Sequence, residues 1–132
     1  RIDRERPFDV SKAICGFLNA YGGYLLIGVS DDQKILGINE DNFTNKDNYI
    51  LKLNNHLKKT IGTDQLQFVH IDTAMDDTKL VCAISCDPST SPCYSLNEKN
   101  IKTFYTRSNN ETIPLAVDET VKYIKTHWSS SV

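Results

Sequence analysis

The stretch that most constrains this chain is Phe17-Leu18-Asn19-Ala20-Tyr21-Gly22-Gly23-Tyr24-Leu25-Leu26-Ile27-Gly28-Val29-Ser30-Asp31-Asp32. It reads as a helix end, a glycine break, a buried strand and a polar strand terminus carrying two carboxylates. Gly22 and Gly23 offer no side chain to obstruct a positive φ or a close backbone approach. Tyr24 to Val29 is apolar with β-branched members, which predicts a strand covered on both faces. Asp31, Asp32 and Gln33 make a tight polar turn, and Lys34-Ile35-Leu36-Gly37-Ile38 is a return strand.

Upstream, Val10, Ala13, Ile14, Phe17, Leu18 and Tyr21 recur at helical spacing and predict one apolar helix face, with Pro7 in the first turn and Asp9 near the positive end. Asn39 to Asn48 reads as a polar loop. A second helix is expected over about Asp47 to Ile61, with Ile50, Leu53, Leu57 and Ile61 inward. Strands are expected over Gln65 to Asp72, Lys79 to Cys86, Cys93 to Leu96 and Ile101 to Arg107. Turns fall at Met75 to Thr78 and Asn97 to Asn100. Two prolines keep Asp87 to Pro92 out of any ladder. Ser108 to Thr112 reads as a loop. Val117, Val121, Ile124 and Trp128 mark a closing amphipathic helix. The order α-β-β-α-β-β-β-β-α has hairpin-short connections, so the expected fold is α+β, a mixed, mainly antiparallel sheet with helices packed on it.

Length and composition bound the function. A chain of 132 residues, 39% hydrophobic and 24% charged, is expected to form one domain over 1–132 with a real core. It opens on Arg1 rather than methionine and reads as a fragment with an upstream segment missing. No apolar run approaches the ~18–20 residues of a membrane span, and no secretory leader is evident, so cytoplasm or nucleus is the expected location. A formal net charge of −2 argues against a strongly basic, non-specific nucleic-acid sleeve but not against a local basic face. Cys15, Cys82, Cys86 and Cys93 form no C-x-x-C pair and are expected as buried, reduced thiols rather than zinc ligands.

Candidate chemistry is sparse. The glycines lack both the P-loop and the dinucleotide-binding spacing. His56, His70 and His127 have no marked Ser or Cys partner. Asp31 and Asp32 emerge from a rigid strand, where carboxylates can hold a divalent metal and orient a water. A hairpin turn that merely favours Asp explains them as well. Lys52, Lys58 and Lys59 on the second helix, and Lys102, Tyr105 and Arg107 on a late strand beside Asn109, could contact phosphates and stack a base. Solvated surfaces are the plainer explanation of both groups.

Taken together, these pieces resemble a Schlafen AlbA-like domain. Lys12 to Asn19 followed by Gly22 to Asp32 is similar to that family's helix, A-F-x-N-t-x-G-G, strand L-x-I-G-V and D-D/E, and Ile35 to Ile38 fits its return strand. Phe104 to Thr112 resembles the F-Y-x-R-x-G-N-x-T segment, with Asn109 where the family often has glycine. Glu119 to Trp128 resembles the terminal helix. The resemblance implies nucleic-acid binding and, in Schlafen proteins, cleavage of structured RNA such as tRNA by two paired lobes. It implies that Asp31, beside Asp32, matches one of three catalytic carboxylates holding Mg²⁺ or Mn²⁺. The other two lie in an E-x-x-x-x-E-F-K segment that does not occur here. A partner lobe, as homodimer or heterodimer, is implied as well. Zinc is not expected, since no H-x-C occurs in the corresponding region. The alternative is a non-catalytic lobe that binds nucleic acid, as a DNA-binding regulator, or serves as a scaffold or dimerisation unit.

Overall fold

A computed structural model describes residues 7–27, 46–76 and 79–128. Helix α1 (Pro7–Asn19) leads into strand β1 (Gly23–Ile27). Helix α2 (Lys46–Thr60) is followed by a 3₁₀ helix over Thr63–Phe68 and the hairpin of β2 (Val69–Asp76) and β3 (Lys79–Cys86). Then come β4 (Tyr94–Leu96), β5 (Lys102–Ser108), β6 (Glu111–Pro114) and α3 (Val117–His127). Among the described residues the strands make two three-stranded sheets, ordered β1-β3-β2 and β4-β5-β6, and every pairing there is antiparallel. The α+β expectation holds, with two small sheets among the described residues in place of one.

Helix α1 lies between the sheets. Val10, Ile14, Phe17 and Leu18 are buried with Ile27, Cys82, Ile84 and Cys86 of the first sheet and Tyr49, Leu53, Leu57 and Ile61 of α2 and its C-terminal turn. Gly16 faces β5, where a Cβ would lie 3.3 Å from the Thr106 carbonyl oxygen, so its lack of a side chain lets that strand approach closely. Successive residues of a strand face opposite ways. Tyr105 therefore joins the α1 core, while Phe104 turns to α3, with its ring 5.5 Å from Tyr123 and 6.4 Å from Trp128.

Asn19 joins these layers. It is fully buried. Its Nδ2 donates to the carbonyls of Cys93 and Tyr105, both at 2.7 Å, and its Oδ1 accepts the Cys93 N–H at 2.8 Å. These bonds satisfy a buried amide almost completely. The last carbonyls of α1, which no helical N–H can reach, also find partners. Phe17 O accepts the Gly22 N–H at 2.9 Å, Leu18 O accepts the Ser89 N–H at 2.8 Å, and Asn19 O accepts the Tyr123 hydroxyl.

The glycine break does what its composition predicts. Gly22 has φ 79°, and a Cβ there would lie 2.4 Å from the Cys86 carbonyl oxygen; one on Gly23 would lie 2.5 Å from the Phe17 ring. Gly28, Asp31 to Gln33 and the expected return strand lie outside the described residues.

Several boundaries shift for local reasons. The helix face ends with α1 at Asn19, so Tyr21 is 86% exposed instead of inward. The strand expected from Gln65 begins at Val69. Gln65 to Phe68 form the 3₁₀ turn, where the buried Gln65 Oε1 accepts the Ser89 hydroxyl at 2.8 Å. The loop expected over Ser108 to Thr112 is shorter, because Glu111–Pro114 pairs with β5 as β6. In α3 the buried position is Thr120, and Val117 is exposed, so the inward face is rotated from the expected one. Helix α2 and β3 follow the expected spans closely. All four cysteines are buried free thiols. Burial first, then the nearby Asp72 and Asp87 charges, pushes Cys82 and Cys86 up to about 12, so both are neutral and unreactive at physiological pH.

Candidate nucleic-acid interface

The candidate binding residues divide between two clefts. Lys59, at the end of α2, and Lys102, opening β5, line one cleft of about 260 Å³ with Gly62, Asp64, Gln65 and Tyr94. Helix α2 ends at Thr60, and Gly62, with φ 93°, turns the chain after it. Tyr94 is 38% exposed there and touches Phe104 edge-to-face at 5.4 Å. Lys52 and Lys58 are exposed on α2 but do not line this cleft.

Arg107 is five residues beyond Lys102 and therefore on the other face of β5. Its Nη1 donates to Thr112 Oγ1 at 2.9 Å, and its Cζ sits 4.9 Å above the Phe17 ring centroid. Its Nε is buried with no hydrogen-bond partner. Arg107 lines a second, more open cleft of about 470 Å³ with Tyr21, Ser108, Tyr123, Thr126 and His127. His127 stacks on Tyr123 at 5.1 Å with 15° between the rings, and Tyr21 meets His127 edge-on at 5.7 Å.

Two expected contacts change character. Tyr105 is 7% exposed and packs in the core, so it offers no ring face to a base; α1 covers the side of β5 that it occupies. Asn109 has φ 57° in the β5–β6 turn. Asparagine tolerates that left-handed conformation better than most residues, which accounts for its replacing the family's usual glycine. The sequence reading missed Tyr21, Tyr123 and His127. The signal for Tyr21 was its position past the helix end, directly before a glycine that cannot extend the helix.

Asp31 and Asp32 lie outside the described residues; β1 ends at the buried Ile27, upstream of them. Among the described residues no three His, Cys, Asp or Glu side chains converge on a point that could hold a metal. A Ser–His pair does occur: His56 Nε2 is 3.4 Å from Ser11 Oγ. Ser11 is fully buried and donates to the Phe8 carbonyl at 3.0 Å, so it is a helix back-bond, not a nucleophile. His70 and Asp87 meet at 2.9 Å with both side chains mostly exposed, a contact worth little. Lys12 and Glu98, 2.9 Å apart, tie α1 to the β4–β5 turn. Burial opposes the charge on Lys12, but the Glu98 hydrogen bond and nearby charges outweigh it and leave the lysine raised.

The Schlafen, AlbA_2 family profile matches residues 2–116. The chain belongs to this family. No match appears among curated proteins. Among solved structures it is similar to the DIP2311 protein from Corynebacterium diphtheriae, with a TM-score of 0.66 and 16% identity, over 96% of this chain. That likeness is one of fold. The chain spans 23% of that protein's length. No described helix is long and apolar enough to cross a membrane.

Arg107 thus carries structural work that a surface phosphate contact would not. Arg107→Ala should lower the free energy of unfolding by about 1–2 kcal/mol, the sum of one hydrogen bond and one cation–π contact, whereas Lys102→Ala should leave it within about 0.5 kcal/mol. Urea unfolding of the two variants checks this; equal stability would make Arg107 an ordinary surface group.

Proposed function

We propose that this Schlafen AlbA_2 lobe binds RNA and acts in the cytoplasm or nucleus within a metal-dependent RNA endonuclease built from two such lobes, paired with a second copy or another chain. The observation that carries the binding part is the meeting of Lys59 and Lys102, from different elements, in one cleft beside an exposed aromatic ring. Ammonium groups so placed attract phosphates without reading sequence, and a tyrosine edge tolerates any base. In the catalytic part Asp31, with Asp32 beside it, would hold Mg²⁺ or Mn²⁺ together with carboxylates from outside 1–132. The second reading is a non-catalytic nucleic-acid-binding or scaffold lobe, a DNA-binding regulator among them. An E-x-x-x-x-E-F-K segment upstream of Arg1 would favour the catalytic reading over it.

Two measurements test the proposal. The Lys59→Gln/Lys102→Gln variant should reduce the salt dependence of binding to a structured RNA by about one to two phosphate contacts, each worth a slope of ~0.7–0.9 in log K against log salt. An unchanged slope moves the phosphate face elsewhere. In the full-length protein assembled with its partner, Asp31→Ala should abolish Mg²⁺- or Mn²⁺-dependent RNA cleavage and leave RNA affinity intact. Cleavage that survives removes Asp31 from the reaction. RNA binding with no cleavage in the unaltered assembly selects the non-catalytic reading.

A further inference from the structure

The second cleft has a composition that the lysine cleft lacks. Three aromatic rings line it, Tyr21, Tyr123 and His127, with one guanidinium and the hydroxyl-bearing Ser108 and Thr126. The rings are not interchangeable. Tyr123 is tied down, because its hydroxyl donates to the Asn19 carbonyl and its ring stacks on His127. His127 is in turn held edge-on at 4.6 Å by Trp128, whose Nε1 donates to the Ser89 carbonyl at 3.1 Å. Tyr21 is different: it touches His127 only edge-on and stands 86% exposed. It projects from the turn that Gly22 closes, and that turn is fixed by the Gly22 N–H to Phe17 carbonyl bond. A large aromatic ring on a fixed turn, open to water, costs solvation without adding to the core.

Arg107 stands at the floor of the same cleft. Its Thr112 bond and its seat over Phe17 fix the guanidinium, so binding an anion there costs little side-chain entropy. The volume of about 470 Å³ falls within the range, roughly 300–1,000 Å³, that holds a small ligand. A free ring face beside a fixed guanidinium and two hydroxyls matches the parts of one nucleotide: a base to stack, a phosphate to pair and sugar oxygens to hydrogen-bond.

Resting on the nucleic-acid reading above, we propose that this cleft binds one unpaired nucleotide of a single strand, its base stacked on Tyr21 and its phosphate against Arg107. Bases in a duplex are already stacked on their neighbours and cannot take this seat, so the site gives the lobe a preference for unpaired segments. Stacking and phosphate contact do not distinguish ribose from deoxyribose, so RNA and DNA single strands should both fit.

The test is fluorescence anisotropy with a labelled oligouridylate, a labelled oligothymidylate and a short RNA duplex, on the unaltered chain, Tyr21→Ala and Tyr21→Phe. Tyr21 is exposed, so both substitutions leave the fold intact. The expected result is an about tenfold loss of affinity of both single strands for Tyr21→Ala, recovery in Tyr21→Phe, and unchanged duplex binding. The single tryptophan, Trp128, lies against His127, so its emission should respond to oligouridylate in the unaltered chain and not in Tyr21→Ala. Single-strand affinity that is unchanged in Tyr21→Ala, or duplex affinity that falls by the same factor, overturns the nucleotide seat while leaving RNA binding standing. An unaltered chain that binds none of the three probes overturns the binding reading itself, and this site with it.

Discussion

The structure depends on one buried amide. Asn19 sits at the end of the central helix, where four elements meet: α1, the segment entering β4, β5 and α3. Its side chain bonds the backbone of Cys93 and Tyr105, and its carbonyl takes the Tyr123 hydroxyl. A helix end would otherwise present bare carbonyls to the core. Here they are consumed in fastening the second sheet and the last helix. A hydrophobic residue could fill the same volume but would leave the Cys93 N–H and the Tyr105 carbonyl without the Asn19 amide and the Cys93 carbonyl with only the weak Cys15 thiol donor, the costlier state in a dry interior.

That junction also places the candidate interface. By fixing α1 against β5, it sets Arg107 above Phe17 and brings Tyr21 to the mouth of the cleft that Tyr123 and His127 wall. The lysine cleft lies where α2 ends against the β4 edge, with Lys102 on the face of β5 opposite Arg107. The two clefts therefore differ in kind. One offers mobile ammonium groups suited to tracking a backbone. The other offers a fixed guanidinium and ring faces suited to a single nucleotide. A net charge of −2 does not oppose the proposed binding, because the cations are local.

Much of the fold was legible in the sequence, and the reasons are local. Lys79–Cys86 announces itself by an apolar, β-branched run, and α2 by apolar residues at helical spacing. Gly22 and Gly23 mark a break that only glycine can make. The losses come where partners far along the chain decide. Glu111–Pro114 has no apolar pattern and becomes a strand because β5 is there to pair with it. Tyr105 looks like an exposed aromatic until α1 covers that side of β5. Val117 keeps the helical period but lies outside the buried face that Thr120 marks. For the site, the convergence of Lys59 with Lys102 and of Tyr21 with Arg107 is tertiary, and neither spacing betrays it. The family profile, over residues 2–116, spans both the Gly22–Gly23 and the Arg107 segments.

The most direct test of this account is the stability of Asn19→Leu, which keeps the side-chain volume and removes the bonds. Urea unfolding should show a loss of about 2–4 kcal/mol, a large part of the ~5–15 kcal/mol that holds a domain of this size together. Amide exchange should speed up at Cys93, whose N–H loses its acceptor. A variant within about 0.5 kcal/mol of the unaltered chain, with Cys93 still protected, would contradict the claim that this amide holds the second sheet to the central helix.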